Sequence, residues 1–323
     1  MKKLKTNTQT KQRLVTLLIL VLIMVILSCI SNITVNNLIN IVRQESTLII
    51  IACAATMLMI SGGMDLSPAG VIALTSVVFA KLCVAGISIP LAALLSLLVG
   101  VAAGTFSGLL VVLANVPPMI ATLGTWYITK GLAYAISNSY AIVQGLPANF
   151  GWVNRYVGPF PLMLLIALVV FVVFYVMLNR TLLGKYAYAI GGNSETARLS
   201  GIKVNLVRCI LYILTALMSS FVGILMSSRI NSGDPNLSTS GIEFEIIVAI
   251  ILGGTSLLGG QGSLIGTLIG ALILGNLSNG MNLLGIGTVY QFIVEGAVLV
   301  VAVVLDLTLK GNGLRIKKLR RSN

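Results

Sequence analysis

Histidine is absent from the chain, and acidic residues number 8 against 21 basic ones. Without histidine there is no Ser-His-Asp triad, no imidazole metal site and no histidine proton relay. Charged residues make up only 9% of the sequence, which excludes an ordinary soluble domain. The four cysteines, Cys29, Cys53, Cys83 and Cys209, are scattered among apolar neighbours. With no close pair they suggest neither a metal nor a redox centre, and they read as small packing residues. No Walker A sequence is present, and the longest polar stretch, 179–208, is too short to be a nucleotide-hydrolysing domain.

What is present is apolar. Hydrophobic residues reach 57% and the mean hydropathy is +1.03. About 20 apolar residues at ~1.5 Å rise cross a hydrocarbon core of roughly 30 Å, and runs of that length recur along the chain. They lack the alternating polarity of a membrane barrel, so the expected fold class is an all-α membrane protein, a polytopic bundle of about ten transmembrane helices. The expected spans are 14–31, 46–61, 68–85, 90–114, 119–137, 161–178, 208–227, 243–258, 263–283 and 289–307. Several are short or broken by glycine, notably at Gly62-Gly63-Met64-Asp65-Leu66-Ser67-Pro68 and at Gly253-Gly254-Thr255-Ser256 ahead of Gly259-Gly260-Gln261-Gly262. Irregular backbone at membrane depth survives only under cover of protein or a wet cavity, which favours a transporter over an anchor.

The net charge of +13 is spread in a telling way. Lys2, Lys3, Lys5, Lys11 and Arg13 precede the first span, and Lys310, Arg315, Lys317, Lys318, Arg320 and Arg321 follow the last. Arg180, Lys185, Arg198, Lys203 and Arg208 mark the middle loop. The positive-inside rule puts all three regions in the cytoplasm, so an even number of spans is required on each side of the loop. Six spans before it and four after satisfy that. The expected organisation is a basic N-tail (1–13), a transmembrane domain (14–307) with a cytoplasmic loop (179–207), and a basic C-tail (308–323). The first span resembles a lipoprotein signal around Ile26-Leu27-Ser28-Cys29, but more membrane follows it, so it reads as uncleaved.

Small residues recur every fourth position at Ser96, Gly100, Gly104 and Gly108, and again at Gly262, Gly266 and Gly270. Such stripes admit a close helix neighbour, either within the chain or in a second copy. No clear internal repeat is visible.

Charges within spans are costly, which makes Asp65, Lys130 and Glu295 candidates for function. Asp65 is expected to cap the helix after the break, Lys130 to snorkel or line a cavity, and Glu295 to pair with a basic residue on another helix. Glu243 opens a span, where negative charge suits the helix dipole. Arg229 and Asp234 share the loop before it, and these three are candidates for contact with a soluble partner. In the middle loop, a short helix capped at Asn193 or Ser194, with Glu195 in its first turn, should end at Gly201 in a left-handed cap.

The stretch Gly191-Gly192-Asn193-Ser194-Glu195-Thr196-Ala197-Arg198-Leu199-Ser200-Gly201 resembles the cytoplasmic coupling segment of ABC importer permeases, with Thr196 standing where an alanine is usual. The break at 62–67, Pro117-Pro118-Met119-Ile120-Ala121-Thr122-Leu123-Gly124, the glycine-rich stretch 253–270 and Asn279-Gly280-Met281-Asn282-Leu283-Leu284-Gly285 resemble, in order, motifs of the ribose, xylose, galactose and autoinducer-2 permeases. The resemblance covers about 45–307. It implies coupling residues Gly192, Asn193, Glu195, Thr196, Ala197, Ser200 and Gly201, and pathway or helix-break residues Asp65, Ser67, Thr122, Lys130, Asn279, Asn282 and Glu295. It also implies an ATP-binding partner subunit that holds the ATP and magnesium, an extracytoplasmic solute-binding protein and a second permease copy or sister permease. No cofactor or catalytic residue is expected in this chain, and the expected location is the bacterial inner membrane. An ion-coupled secondary transporter is the alternative reading, weakened by the scarcity of ionisable groups; a passive channel would need a filter ring that the sequence does not offer.

Overall fold

The structure, a computed structural model, describes residues 35–237 and 241–307. The expected tails 1–13 and 308–323 and the first span, 14–31, lie outside the described residues. The described chain is an all-helical bundle: α1 (Val35–Ile60), α2 (Pro68–Val84), α3 (Ile89–Val112), α4 (Pro118–Ser137), α5 (Leu162–Arg180), α6 (Leu182–Gly192), α7 (Ser194–Leu199), α8 (Val204–Ile230), α9 (Ile242–Leu252), α10 (Leu264–Leu283) and α11 (Thr288–Leu307). Two short antiparallel strands, β1 (Tyr156–Val157) and β2 (Phe160–Pro161), decorate the α4–α5 connection. Five of the helices, α1, α3, α5, α8 and α10, are long and apolar enough to cross a membrane.

Proline sets several starts. Pro68, Pro90 and Pro118 sit in the first turns of α2, α3 and α4, where the missing N–H costs no hydrogen bond. At the other ends, Asn138 and Asn231 take left-handed conformations that close α4 and α8.

Helix α1 is the core. Ile50, Ile51, Met57, Leu58 and Ile60 are buried, and α5, α8, α9 and α10 pack around them. By contrast α5 turns Leu168, Val169, Val172 and Val173 outward, which in hydrocarbon costs nothing. Because lipid supplies no hydrophobic drive for helix association, close backbone approach and hydroxyl pairs hold the bundle together. Thr56 on α1 meets Thr267 on α10 at 2.8 Å, Thr75 on α2 meets Ser220 on α8 at 2.9 Å, and Ser107 on α3 meets Thr125 on α4 at 2.7 Å. Ser220 gives its only proton to the Ser96 carbonyl, so Thr75 is the donor in its pair.

Both small-residue stripes are used inside the chain. A Cβ on Gly104 would stand 2.6 Å from Ile213 Cα, and one on Gly100 would stand 2.5 Å from the Ala216 carbonyl, so α3 lies directly on α8. Gly266 and Gly270 in the same way let α10 close on the backbone of α9. Cys53 and Cys83 are buried packing residues, and Cys209 lies against Gly108. Gly104→Leu is expected to destabilise the protein by at least about 1–3 kcal/mol through overpacking, read as a lower melting temperature in detergent. Unchanged melting would show that α3 and α8 can separate freely.

Two expected boundaries are corrected. Helix α1 begins at Val35 rather than at 46, and groups distant in sequence accommodate the Arg43 side chain on it. Arg43 donates to Tyr156 Oη and to Asn154 Oδ1, both at 3.3 Å. Helix α9 stops at Leu252 rather than at 258, where Gly253 and left-handed Gly254 break it despite the apolar Leu257 and Leu258.

Candidate functional site

One end of the bundle carries α6 and α7, and there the local sequence dictates the structure. The Asn193 side chain accepts the Thr196 N–H at 2.9 Å, Glu195 occupies the first turn, and Gly201 closes the turn at φ +83°. Arg198 reaches back to Glu195 at 2.7 Å, and its hydrogen bond and charge hold that carboxyl below the usual carboxylate range. Ala197 is buried, whereas Glu195, Thr196, Ser200 and Leu199 face outward. Leu199 is 78% exposed at the tip of a polar helix, a position that the sequence motif had not singled out.

Helix α6 ties this projection to the membrane part. A Cβ on Gly191 would collide with the Ile60 carbonyl at the end of α1 and with Gly260 N. Gly260 N donates to that same carbonyl at 2.8 Å, and Tyr188 Oη donates to the Gly262 carbonyl at 2.9 Å. A Cβ on Gly259 would stand 2.9 Å from Gly62 N and 3.1 Å from Gly191 Cα. The two glycine breaks and Gly191, read separately in the sequence, thus meet at one backbone junction.

Asp65 follows directly. Its Oδ1 accepts the Ser67 N–H at 2.8 Å, so it braces the turn, and Ser67, not Asp65, is the residue that precedes α2. The other oxygen of Asp65 and the Ser67 hydroxyl are buried with no hydrogen-bond partner among the described residues. Tyr212 Oη donates to the Met64 carbonyl at 3.3 Å and locks the same turn to α8. Asp65→Asn keeps the acceptor and should leave melting near wild type, whereas Asp65→Ala should cost about 1 kcal/mol. Equal melting of the two variants would deny the carboxyl its bracing role.

The other candidates lie apart from this junction. Thr122 gives its hydroxyl to the Pro118 carbonyl within α4 at 2.9 Å. Asn282 accepts from Gln291 at 2.7 Å, linking α10 to α11, and Asn279 Nδ2 has no partner among the described residues. The Lys130 ammonium lies 5.3 Å from the Trp126 ring centroid. Glu295 has no basic partner among the described residues, contrary to expectation. Instead Ser278 Oγ approaches it at 3.4 Å beside a cavity of about 180 Å³ that Glu45 and Glu245 also line. Glu45 fits there because Gly275 leaves a hollow for its carboxyl. At the end remote from α7, Asn154 Nδ2 donates to the Arg229 carbonyl at 3.0 Å, and Asp234 accepts the Asn236 N–H at 2.8 Å. Glu243 is buried in the first turn of α9.

A bundle of apolar helices, broken at glycine turns that meet α6 at Gly191, is the architecture of a multi-pass membrane permease. The comparisons give the family. The chain belongs to the family described as branched-chain amino acid transport system / permease component, matched over residues 37–303. It is 40% identical over 278 residues to the ribose import permease protein RbsC of Escherichia coli, covering 84% of this chain and 86% of that one. It is 39% identical to RbsC of Bacillus subtilis, covering 84% of each, and 34% identical to the D-allose transport system permease protein AlsC of Escherichia coli, covering 85% of this chain and 84% of that one. No solved structure matches it.

Proposed function

We infer that the chain is the membrane-spanning subunit of an ATP-driven importer in the bacterial plasma membrane and that it passes a sugar or sugar-like solute. The observation that carries this reading is the 40% identity to a ribose import permease, sustained over 84% of the chain. The α7 projection adds support: its cap, its glycine terminus and its outward Leu199 suit docking into a cleft on a separate ATPase, which would hold the ATP and magnesium.

In this reading α6 and α7 face the cell interior. The same reading gives ten crossings, one of them the sequence-expected span 14–31 and another completed by the glycine turn after the short helix α9, and both basic tails are cytoplasmic. The opposite face, with Arg43, Arg229 and Asp234, receives an extracytoplasmic binding protein. A second copy or a sister permease completes the path. ATP binding draws the ATPase domains together, and α7, seated in one of them, moves as a rigid lever on the Ile60–Gly260 junction.

The test is uptake of labelled ribose into vesicles carrying this chain, its ATPase and its binding protein. Uptake should require ATP on the ATPase side and survive an uncoupler. Uptake that follows an ion gradient without the ATPase would replace this reading with that of a secondary transporter.

A further inference from the structure

A cavity of about 180 Å³ lies among α1, α9, α10 and α11. One water needs roughly 10–15 Å³, so the space has room for a small solute. Glu45, on its α1 wall, precedes the Ile60 junction by about 22 Å of helix at ~1.5 Å per residue, which sets the cavity in the half of the bundle remote from α7. Two of the walls are built alike. Phe244 and Glu245 line it from the first turn of α9, and Phe292 and Glu295, at i and i+3, line it from α11. Both rings are about half exposed, so ring surface is free to meet a guest. Ser278 on α10 completes the polar lining. Protein surrounds Glu45 almost completely, and a Cβ on Gly275 would stand 2.8 Å from its Oε1, so α10 keeps a glycine where this carboxyl enters. Among the described residues Glu45 and Glu245 make no side-chain hydrogen bond, Glu295 has only Ser278 Oγ at 3.4 Å, and no basic residue pairs with any of the three. Carboxyl groups held at membrane depth without partners are costly unless a ligand or water completes them.

We propose that this cavity is a chamber for a neutral polyhydroxylated solute of about pentose size. The proposal rests on the importer reading and gives it a binding site. Among the described residues no three acidic, histidine or cysteine side chains stand close enough to share a metal ion, so the three glutamates are separate acceptors on three helices. An aldose matches that arrangement, because its hydroxyls are spread around a ring whose C–H faces are apolar. The faces pack on Phe244 and Phe292, hydroxyls donate to Glu45, Glu245 and Glu295, and Ser278 donates to an oxygen of the guest. Mostly apolar walls with a few convergent polar groups are the usual make-up of a small-molecule site. The same lining rejects an amino acid, whose own carboxylate would face three acidic groups without a base to offset them. The cavity therefore accounts for a sugar in preference to the amino acids in the family's description.

Ser278→Cys, in the full-length protein with its four native cysteines changed to serine, puts a near-isosteric thiol on the cavity wall. Its reaction with methyl methanethiosulfonate is followed in lipid nanodiscs with D-ribose as probe and with L-leucine and 1,4-diaminobutane as comparators. D-ribose should slow the reaction saturably, at least threefold, while leucine and the diamine leave it unchanged. A thiol at Ser194→Cys on α7 should react at the same rate with or without sugar. Half-protection should need at least fivefold more ribose in Glu245→Gln. Gly296 also lines the cavity, and a Cβ there meets nothing within 4 Å, so Gly296→Leu fills space without a clash at Cβ. That variant should melt as wild type does, bind its ATPase, and lose at least nine-tenths of ATP-driven ribose uptake. Absence of protection by ribose, protection by leucine or the diamine in its place, or normal uptake in Gly296→Leu would overturn the chamber. Wild-type uptake separates the two claims: ATP-driven ribose uptake without protection at Ser278→Cys removes the chamber alone, whereas uptake without ATP removes the importer reading on which it rests.

Discussion

Gly191→Val should reduce ATP-driven uptake at least tenfold while leaving the protein in the membrane and bound to its ATPase. Gly191 lies within α6 at an ordinary helical conformation, so its need for glycine is spatial. Any Cβ there enters the space of the Ile60 carbonyl oxygen and of Gly260 N, which are joined to each other by a hydrogen bond. Backbone on both sides cannot retreat the way a side-chain tip can. Overpacking costs about 1–3 kcal/mol or more, and roughly 1.4 kcal/mol is a tenfold change in an equilibrium. That cost falls on the contact through which, in the proposed mechanism, α6 moves the end of α1, so ATP hydrolysis should continue without matching transport. Gly131→Ala is the control, because a Cβ at Gly131 meets nothing within 4 Å. Paired uptake and hydrolysis rates check both variants, and equal uptake by Gly191→Val and wild type would remove the junction from the mechanism.

Leu199→Asp should weaken binding of the ATPase subunit thirtyfold or more, with no loss of membrane insertion. A leucine 78% exposed on α7 gains little by packing within this chain, and the buried Ala197 is the residue that holds α7 to it. Buried in a partner's cleft, such an anchor is worth about 2 kcal/mol or more. Neighbouring Glu195 is already engaged by Arg198, so the apolar tip, more than the acidic residue, should carry the affinity. Titration of labelled ATPase against the detergent-solubilised protein measures the change. Undiminished binding would place the anchor elsewhere on the α6–α7 face.

Local rules made much of this legible from the amino-acid order. Pro68, Pro90 and Pro118 announce helix starts because their chemistry is local, and Asn193, Glu195 and Gly201 define α7 for the same reason. The start of α1 was not legible. Asn36, Asn37, Arg43, Gln44 and Glu45 read as loop, and the groups that accept Arg43 and Glu45 into a helix, at Tyr156, Asn154 and Gly275, lie far along the chain. The end of α9 was misjudged because hydropathy registers Leu257 and Leu258 but not the backbone turn before them. Glycine pairs at 62–63 and 259–260 were visible as breaks, yet their meeting with Gly191 is a fact of packing. The same holds for Glu45, Glu245 and Glu295, distant in sequence and gathered around one cavity. The small-residue stripes announced a close helix contact but not its partner, and the structure gives both to the chain's own helices.

The side of the membrane from which α7 projects decides the whole account, and thiol labelling measures it directly. In a protein with Cys29, Cys53, Cys83 and Cys209 replaced by serine, Ser194→Cys places a single exposed thiol at the start of α7. A membrane-impermeant maleimide should leave it unlabelled in intact cells, label it in inside-out vesicles, and be blocked there by added ATPase subunit. Labelling of intact cells would put the coupling helix on the wrong side and contradict the importer mechanism.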